Sequence, residues 1–143
     1  MIVADILGGK GGDVVTVLPD DSALSLARTL AKWRIGAVLV RDAGGKIVGI
    51  VSERDLIHAL ATDAAAILHR KVQDLMTGEV VTCSSSDSLQ SVMEKMTHGR
   101  FRHLPVFDGG ELRGIVSIGD VVKLRIAEQS AEADALKAYI ASG

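Results

Sequence analysis

The sequence has few of the features that would point at once to one class of function. It contains a single cysteine, Cys83, so no disulfide can form within the chain, and a reducing compartment is indicated. The net charge of −2 argues against a nucleic-acid protein that works through a basic surface. No apolar run approaches the roughly 18 residues of a membrane span, and the N-terminal stretch lacks the basic leading region of a secretory signal. We therefore predict a cytoplasmic protein that acts without nucleic acid or a membrane.

Clusters of reactive side chains are also missing, which argues against an enzyme. The four histidines (His58, His69, His98 and His103) are scattered without the spacing of a metal site. No serine lies in a strained nucleophile elbow, and Cys83 fits a small buried strand residue better than a nucleophile. We therefore expect no catalytic residue, no metal and no catalytic cofactor.

What the sequence does contain is an internal duplication. Residues Val14–Val40 align without a gap on Val80–Val106, and "GIVSERD" at Gly49–Asp55 aligns on "GIVSIGD" at Gly114–Asp120. A short leader, "VADIL" in the first copy and "VQDLM" in the second, precedes each alignment. We predict a first repeat with its leader over residues 1–66, a second repeat over 67–128, and a helical tail over 129–143.

Each copy predicts the same order of elements, strand–helix–strand–strand–helix. Strands are predicted at Val14–Val17 and Val80–Cys83, and polar N-capping stretches follow them. Glycine pairs then separate two apolar runs in each copy, which indicates hairpins. The connector Ala61–Leu75 is rich in Ala and Leu, and we expect it to be helical. The apolar faces of the first helices are predicted to be Leu24, Ala27, Leu30 and Ala31 in one copy, and Leu89, Val92, Met93 and Met96 in the other.

The size of one copy indicates how the two combine. About 60 residues bury a sheet poorly alone, whereas two copies can share one core. The hydrophobic fraction of 48% is sufficient for such a core, although aromatics are only 3%. We predict a mixed α/β (α+β) fold of two β-α-β-β-α repeats that pack sheet to sheet with pseudo-two-fold symmetry.

The repeated Ser-x-x-Asp at the end of the second hairpin strand has two interpretations. In the first, Ser52 is a helix N-cap and Asp55 its partner in a capping box. In the second, the helix N-terminus and the serine hydroxyl donate hydrogen bonds to a phosphate. The ionised aspartate only accepts hydrogen bonds, so it suits the 2′ and 3′ hydroxyls of a ribose. The two interpretations are compatible.

The doubled "GIVS-x-x-D", the "RHLPV" strand before the second motif and the "VQDLM…VVT" leader together resemble tandem cystathionine-β-synthase (CBS) domains, also called a Bateman module. The resemblance covers Val3 to Ile126. It implies a regulatory module, not an enzyme, that has two clefts between its repeats and binds an adenosine ligand such as AMP, ADP, ATP, NAD(H) or S-adenosylmethionine. It also implies a homodimer and leaves open which ligand is bound and whether one or both clefts are used.

The resemblance assigns roles to particular residues. Asp55 and Asp120 would hold ribose hydroxyls, and the serine of each motif would lie near the ribose or phosphate. Threonines and strand residues would surround the adenine. The candidate ligand-binding residues are Thr16, Gly36, Ala37, Val38, Ser52, Arg54, Asp55, Thr82, Arg100, Arg102, His103, Leu104, Pro105, Ser117, Ile118 and Asp120.

The two motifs differ, which predicts two unequal sites. The first carries Arg54 where the second has Gly119. Arg100, Arg102 and His103 form a cationic cluster suited to phosphate, although the two arginines can also be solvated strand residues. Lys10, in "GGKGGD", lacks the context of a phosphate loop, so we expect a flexible loop there that is still able to contact outer phosphates.

Two functions follow as hypotheses. One is a sensor of adenine nucleotides, reporting energy or redox state through a ligand-dependent conformational change to an unidentified protein partner. The other is a structural dimerisation module with vestigial clefts.

Overall fold

The computed structural model describes all 143 residues and divides them into two compact units. One unit comprises residues 14–81, and the other combines residues 1–13 with residues 82–143. None of the helices is both long and apolar enough to cross a membrane. The elements in chain order are α1 (Val3–Lys10), β1 (Thr16–Val17), α2 (Ala23–Trp33), β2 (Ala37–Arg41), β3 (Ile47–Ser52), α3 (Glu53–Thr62), α4 (Val72–Leu75), α5 (Leu89–Gly99), β4 (His103–Asp108), β5 (Glu111–Ser117) and α6 (Ile118–Ser142).

The unit of residues 14–81 is built on a three-stranded sheet. Strand β1 pairs in parallel with β2, and β2 pairs antiparallel with β3 in a hairpin. Apolar side chains of the sheet, of α2 and of the short α4 form its core. Residues 37–40 of β2 are all buried, so this strand is covered on both faces. The buried members are Val17, Leu26, Leu30, Val38, Val40, Val51 and Val72.

The second unit repeats this plan around the β4–β5 hairpin. Its core again consists of aliphatic side chains, with one thiol and one thioether among them. The predicted first strand of this copy, Val80–Cys83, is reduced to one parallel bridge between Cys83 and Val106. The buried members of the core are Val3, Ile6, Cys83, Leu89, Val92, Met96, Leu104, Val106, Val116 and Val121.

The leaders are exchanged between the copies. Helix α1, the leader of the first copy, packs in the same unit as the second copy, where Ile2 bridges Ser88. Helix α4, the leader of the second copy, packs in the unit of the first, where Lys71 bridges Ser22. The compact units therefore differ from the sequence repeats, and the repeat boundaries stay a prediction about the sequence.

Glycine pairs turn both hairpins, as predicted. Gly45 has a φ of 85°, and Gly109 and Gly110 have φ of 57° and 82°. Side chains with a Cβ rarely adopt this left-handed region, so glycine is the residue that these turns require. Register shifts near the end of each hairpin, after Val40 and after Val106, preserve the likeness of the two copies.

Two predictions about helices need correction. The connector is not one helix: α3 ends at Thr62, and a single 3₁₀ turn at Ile67–His69 and the short α4 follow. The core face of α2 is formed by Ala23, Leu26 and Leu30, whereas Leu24 is 43% exposed. Leu24 and Ala27 instead line a groove together with side chains of α3, and Ala31 is exposed.

The C-terminal residues continue α6 without a break through Ser142. At 25 residues, α6 is about 37 Å long. Val121, near its start, is fully buried, whereas the apolar side chains of its later turns are exposed: Ile126, Leu136, Tyr139 and Ile140.

Candidate functional site

Both Ser-x-x-Asp motifs form a helix cap. Ser52 ends β3 and caps α3, and the Oδ2 atom of Asp55 accepts hydrogen bonds from the amide and hydroxyl of Ser52 at 2.8 and 3.0 Å. The amide of Asp55 donates in return to the Ser52 hydroxyl at 3.3 Å. Ser117 and Asp120 repeat this arrangement at the start of α6, with distances of 2.9, 3.0 and 3.2 Å. The capping interpretation of the sequence is therefore correct at both motifs.

The caps and the neighbouring strands use most of the N–H donors that a phosphate could contact at the two helix starts. At the start of α3, the Glu53 amide donates to the carbonyl of Gly36 at 2.9 Å, and Asp55 and Ser52 bond each other. Of the donors in that first turn, the Arg54 amide is left without an intramolecular acceptor. At the start of α6, the Ile118 amide donates to the Arg102 carbonyl and the Asp120 amide to the Ser117 hydroxyl. The Gly119 amide is therefore the donor there without an intramolecular acceptor. Each helix start thus offers one backbone donor, next to the serine hydroxyl.

Strand pairing brings the predicted adenine-contacting residues to the motifs. In the first unit Ala37 lies opposite Ser52, with Gly36 bonded to the first turn of α3. In the second unit His103 lies opposite Ser117 in the same register. The polar motif and the start of the preceding strand therefore form one surface in each unit.

The threonines lie one strand further away. Thr16 on β1 pairs with Leu39, so β2 separates it from the Ser52 motif. Thr82 precedes Cys83, whose amide donates to the carbonyl of Pro105 at 3.0 Å. The carbonyl of Thr82 accepts a hydrogen bond from the Lys95 ammonium at 2.9 Å. Each threonine therefore lies beside the strand that faces a motif, and its role toward a base stays a prediction.

The basic side chains of the second copy are exposed. Arg100 ends α5 as its C-cap with a φ of 56°, a left-handed conformation that Arg34 shares at the end of α2. Arg102 is exposed and lies just before β4. Arg54, in the first turn of α3, is exposed as well. These side chains are solvated, and their contact with a phosphate stays a prediction.

Lys10 is the residue that sequence reasoning placed wrongly. It lies in the last turn of α1, not in a flexible loop. Its ammonium donates to Oδ2 of Asp120 at 2.8 Å and to the carbonyl of Ile115 at 3.0 Å. Burial raises the pKa of Asp120. The hydrogen bond and charge of Lys10 and the hydrogen bonds from Ser117 lower this pKa by more than burial raises it, so the pKa lies below its usual value. Sequence analysis missed this contact because it depends on the leader exchange, which brings α1 to the second copy.

Cys83 and Trp33 also have clear surroundings. Cys83 is buried, and burial, helped by the charge of Asp87, raises the pKa of its thiol to about 11. The thiol is therefore protonated and unreactive at neutral pH, as expected for a core side chain. Trp33 is 55% exposed at the end of α2, with the Lys32 ammonium 5.3 Å from its ring centre. No group of three or more His, Cys, Asp and Glu side chains is placed to hold a metal ion.

An apolar groove of about 240 Å³ lies within the unit of residues 14–81. It runs between α2, α3 and the 3₁₀ turn, and four of its large side chains are exposed at 43–65%. No polar group lies among its lining side chains, so it suits an apolar surface more than a nucleotide. The lining residues are Ala23, Leu24, Ala27, Leu56, Ile57, Leu60, Ile67 and Leu68.

Comparison with known proteins identifies both copies. The family model for the CBS domain matches residues 3–62 and 72–127. The crystal structure of the CBS-domain-containing protein ATU1752 from Agrobacterium tumefaciens is 52% identical, with a TM-score of 0.85, over 87% of this chain and 92% of that one. The CBS domain-containing protein CBSX3, mitochondrial, of Arabidopsis thaliana is 30% identical over 99% of this chain and 72% of its own length.

Other similar proteins include a larger enzyme that matches over part of its length and two proteins that were solved with bound ligands. Inosine-5′-monophosphate dehydrogenase of Methanocaldococcus jannaschii is 32% identical over 83% of this chain, but this covers only 23% of the enzyme. The CBS domain pair of protein MJ0100 was solved with 5′-methylthioadenosine and S-adenosyl-L-methionine (27% identity, TM-score 0.78, 90% of this chain and 98% of that one). CBSX2 was solved with AMP (26% identity, TM-score 0.71, 90% of this chain and 98% of that one).

Proposed function

The chain belongs to the CBS-domain family, and from that premise we propose that it is a regulatory module that binds an adenosine nucleotide through Asp55 and Asp120. The module has no catalytic role of its own in this proposal. We propose AMP, ADP, ATP or NAD(H) as the nucleotide, which would make the protein a sensor of energy or redox state. The ligands held by MJ0100 and CBSX2 support the adenosine part of the proposal.

One observation carries the proposal: each motif aspartate has an unused oxygen beside a helix start. In both motifs the Oδ2 atom accepts the capping hydrogen bonds, whereas Oδ1 accepts none within the chain. Asp120 is 24% exposed, so solvent and ligands reach it. A carboxylate that is fixed by one oxygen and free at the other suits a pair of ribose hydroxyls, because an ionised carboxylate accepts about four hydrogen bonds.

The neighbouring groups suit the rest of a nucleotide. The free amide at the second position of each helix is a donor for a phosphate. The serine hydroxyl beside it already donates to the motif aspartate. The apolar strand residues beside each motif, Ala37 and Val38 in one unit and Leu104 and Pro105 in the other, have buried side chains, so we propose that a base contacts mainly the backbone of these strands. Arg54 beside one motif and Gly119 beside the other make the two sites unequal.

The proposed mechanism is a population shift. A ligand that binds one conformation better than another moves the equilibrium by the difference in its two affinities, and by no more. We propose that the signal passes to a separate protein through a homodimer surface. A cytoplasmic location is also proposed, supported by the single cysteine, a buried free thiol.

A second candidate function, a structural dimerisation module with vestigial ligand sites, is favoured by the apolar groove. Its exposed Leu24, Ile57, Leu60 and Leu68 would be covered by a second copy. The two functions are separable, because dimerisation by itself predicts no response to a nucleotide.

Thermal unfolding in the presence of ligands tests the proposal. AMP, ATP, NAD⁺, NADH and S-adenosylmethionine, each near millimolar concentration, are compared with CMP as a base control. A ligand at about 100 times its dissociation constant adds about 2.7 kcal/mol of stability, so the midpoint rises measurably. We expect at least one adenosine compound to raise the midpoint and CMP not to do so. A dimer by light scattering whose midpoint no adenosine compound changes would leave the structural module as the function.

A further inference from the structure

The leader exchange places a lysine side chain, that of Lys10, against only one of the two Ser-x-x-Asp motifs. In the first motif, the carbonyl of Ile50 accepts a hydrogen bond from the backbone amide of Thr77, in the leader segment of the second copy, at 2.9 Å. The matching carbonyl in the second motif, that of Ile115, instead accepts from the side-chain ammonium of Lys10 at 3.0 Å. The same acceptor is thus paired with a neutral amide in one copy and with a cation in the other.

The glycine-rich segment that forms the last turn of α1 and the loop after it makes this difference possible. The first leader is followed by "GGKGGD" and the second by the shorter "TGE", which carries an acid and no basic residue. A Cβ at Gly12 would lie 2.5 Å from the carbonyl oxygen of Arg113, so the loop approaches β5 as closely as a backbone can. This close approach holds the end of α1 against the strand that leads into Ser117 and Asp120.

The Lys10 ammonium is only partly satisfied by its two partners. An ammonium group has three N–H donors, and here two are used, by Ile115 and by Oδ2 of Asp120. The Lys10 side chain is 37% exposed, so the third donor is open to solvent or a ligand. The pair also leaves Oδ1 of Asp120 available, so Lys10 does not occupy the oxygen that a ribose would use.

A nucleotide on Asp120 would bring its phosphate close to this donor. The 5′-phosphate is attached to the same sugar whose hydroxyls the aspartate binds, and the flexible four-carbon stem of a lysine allows its ammonium to follow the phosphate. Phosphate is also the ligand group for which an ammonium adds most, through a charge-assisted hydrogen bond. An unphosphorylated nucleoside would gain nothing from it.

We propose that Lys10 is a specificity-determining residue of the Asp120 site, where its ammonium group selects adenosine ligands that carry a 5′-phosphate over those that do not. This inference rests on the proposed nucleotide binding. It makes the leader of the first copy part of the ligand site of the second. The Asp55 site lacks this lysine and discriminates less between the two kinds of ligand on this ground.

Calorimetric titration with AMP and with adenosine tests the inference in an Asp55→Ala background, so that the Asp120 site is measured alone. Lys10→Met is compared with Lys46→Met, which removes an exposed lysine of the β2–β3 turn that forms no ion pair. We expect Lys10→Met to weaken AMP binding by about tenfold or more and to change adenosine binding by less than about twofold. Lys46→Met should change neither.

The outcomes separate the two proposals. If the unaltered protein binds no adenosine ligand, the proposed function fails and this inference fails with it. If the unaltered protein binds AMP but Lys10→Met changes AMP and adenosine binding by the same factor, in either direction, only the role of Lys10 is wrong. AMP binding that disappears in the Asp55→Ala background also overturns the role of Lys10.

A second measurement leaves Lys10 in place, in case Lys10→Met does not fold. Phosphorus NMR follows the second ionisation of the phosphate of bound AMP, which for a free phosphate monoester has a pKa near about 6. An ammonium in contact with the phosphate stabilises the dianion, so we expect this pKa to fall on binding to the Asp55→Ala protein. An unchanged phosphate pKa in the bound ligand would contradict contact with Lys10.

Discussion

The Oδ2 atom of Asp55 accepts hydrogen bonds from both the amide and the hydroxyl of Ser52, so the residues proposed to bind a ligand also cap α3. One side chain therefore contributes to folding and to binding through different oxygens. A variant at this position changes both properties, and each measurement needs a control that changes only one.

Replacing Asp55 by Ala should lower stability and weaken ligand binding together. Loss of a cap interaction typically costs about 1 kcal/mol, which corresponds to a fall of a few degrees in the melting midpoint. Ser22→Ala is the matched control, because the hydroxyl of Ser22 caps α2 through the Ser25 amide at 3.0 Å and lies outside the motif. We expect a similar fall in the midpoint from both variants and weaker binding, by calorimetry, only from Asp55→Ala. Equal affinity in the two variants would refute the ribose role of Asp55.

Acid should reveal the contribution of the Lys10–Asp120 pair to stability. The pKa of Asp120 in the folded protein lies below its ordinary value of 3.8. The folded state therefore binds fewer protons than the unfolded state in this range, and the stability from this group is present above about pH 4 and is lost as the pH falls through the folded pKa. Denaturant titrations between pH 7 and pH 2 should show a smaller acid loss for Lys10→Met than for the unaltered protein. Identical pH profiles would mean that the pair adds nothing.

Cys83 should react slowly while the protein is folded. Its pKa of about 11, against 9.0 for an ordinary thiol, reduces the thiolate fraction at pH 8 by about 100-fold, and burial also blocks access of the reagent. A chromogenic disulfide reagent measures the rate in buffer and in guanidinium chloride. Equal rates of reaction for the folded and unfolded chain would show that Cys83 is accessible.

The raised pKa of Cys83 also means that the stability of the protein decreases as the pH rises from about 9 toward 11, because the unfolded thiol releases its proton first.

Two glycines near the end of α1 should respond oppositely to a methyl group. A Cβ at Gly12 would meet the Arg113 carbonyl oxygen, a backbone atom that cannot move aside cheaply. A Cβ at Gly9, within α1, meets nothing within 4 Å, and Ala in a helix is favoured over Gly by roughly 0.5–1 kcal/mol. In thermal unfolding we expect Gly12→Ala to lower the midpoint and Gly9→Ala to leave it unchanged or raise it. A neutral Gly12→Ala would mean that the loop does not need to lie so close to β5.

The sequence predicts local features of this chain well because each depends on nearby residues. The alignment of Gly49–Asp55 on Gly114–Asp120 locates both hairpin ends and both helix starts, and the capping box follows from the spacing of Ser and Asp. The glycine pairs locate the turns. These features need only neighbours within about four positions in the chain.

Features that depend on distant segments were not predicted. Lys10 and Asp120 are 110 residues apart, and nothing local in "GGKGGD" indicates an ion pair with the second copy. The exchange of leaders follows from the packing of Val3 and Val72 in the cores, which sequence similarity between the leaders does not reveal. The connector was also predicted wrongly, because the helix propensity of its alanines is a weak indication by itself: α3 ends at Thr62, and only a 3₁₀ turn and the short α4 follow.

Ligand stoichiometry, measured by native mass spectrometry with added AMP, decides whether both motifs bind nucleotide. The unaltered protein is compared with Asp55→Ala, Asp120→Ala and the variant that carries both changes, and the Ser22→Ala control is included. We expect up to two AMP molecules for each unaltered chain and for the control, at most one for each single variant, and none when both aspartates are removed. AMP that remains bound to the doubly changed chain, or that never binds the unaltered one, would contradict nucleotide binding through Asp55 and Asp120.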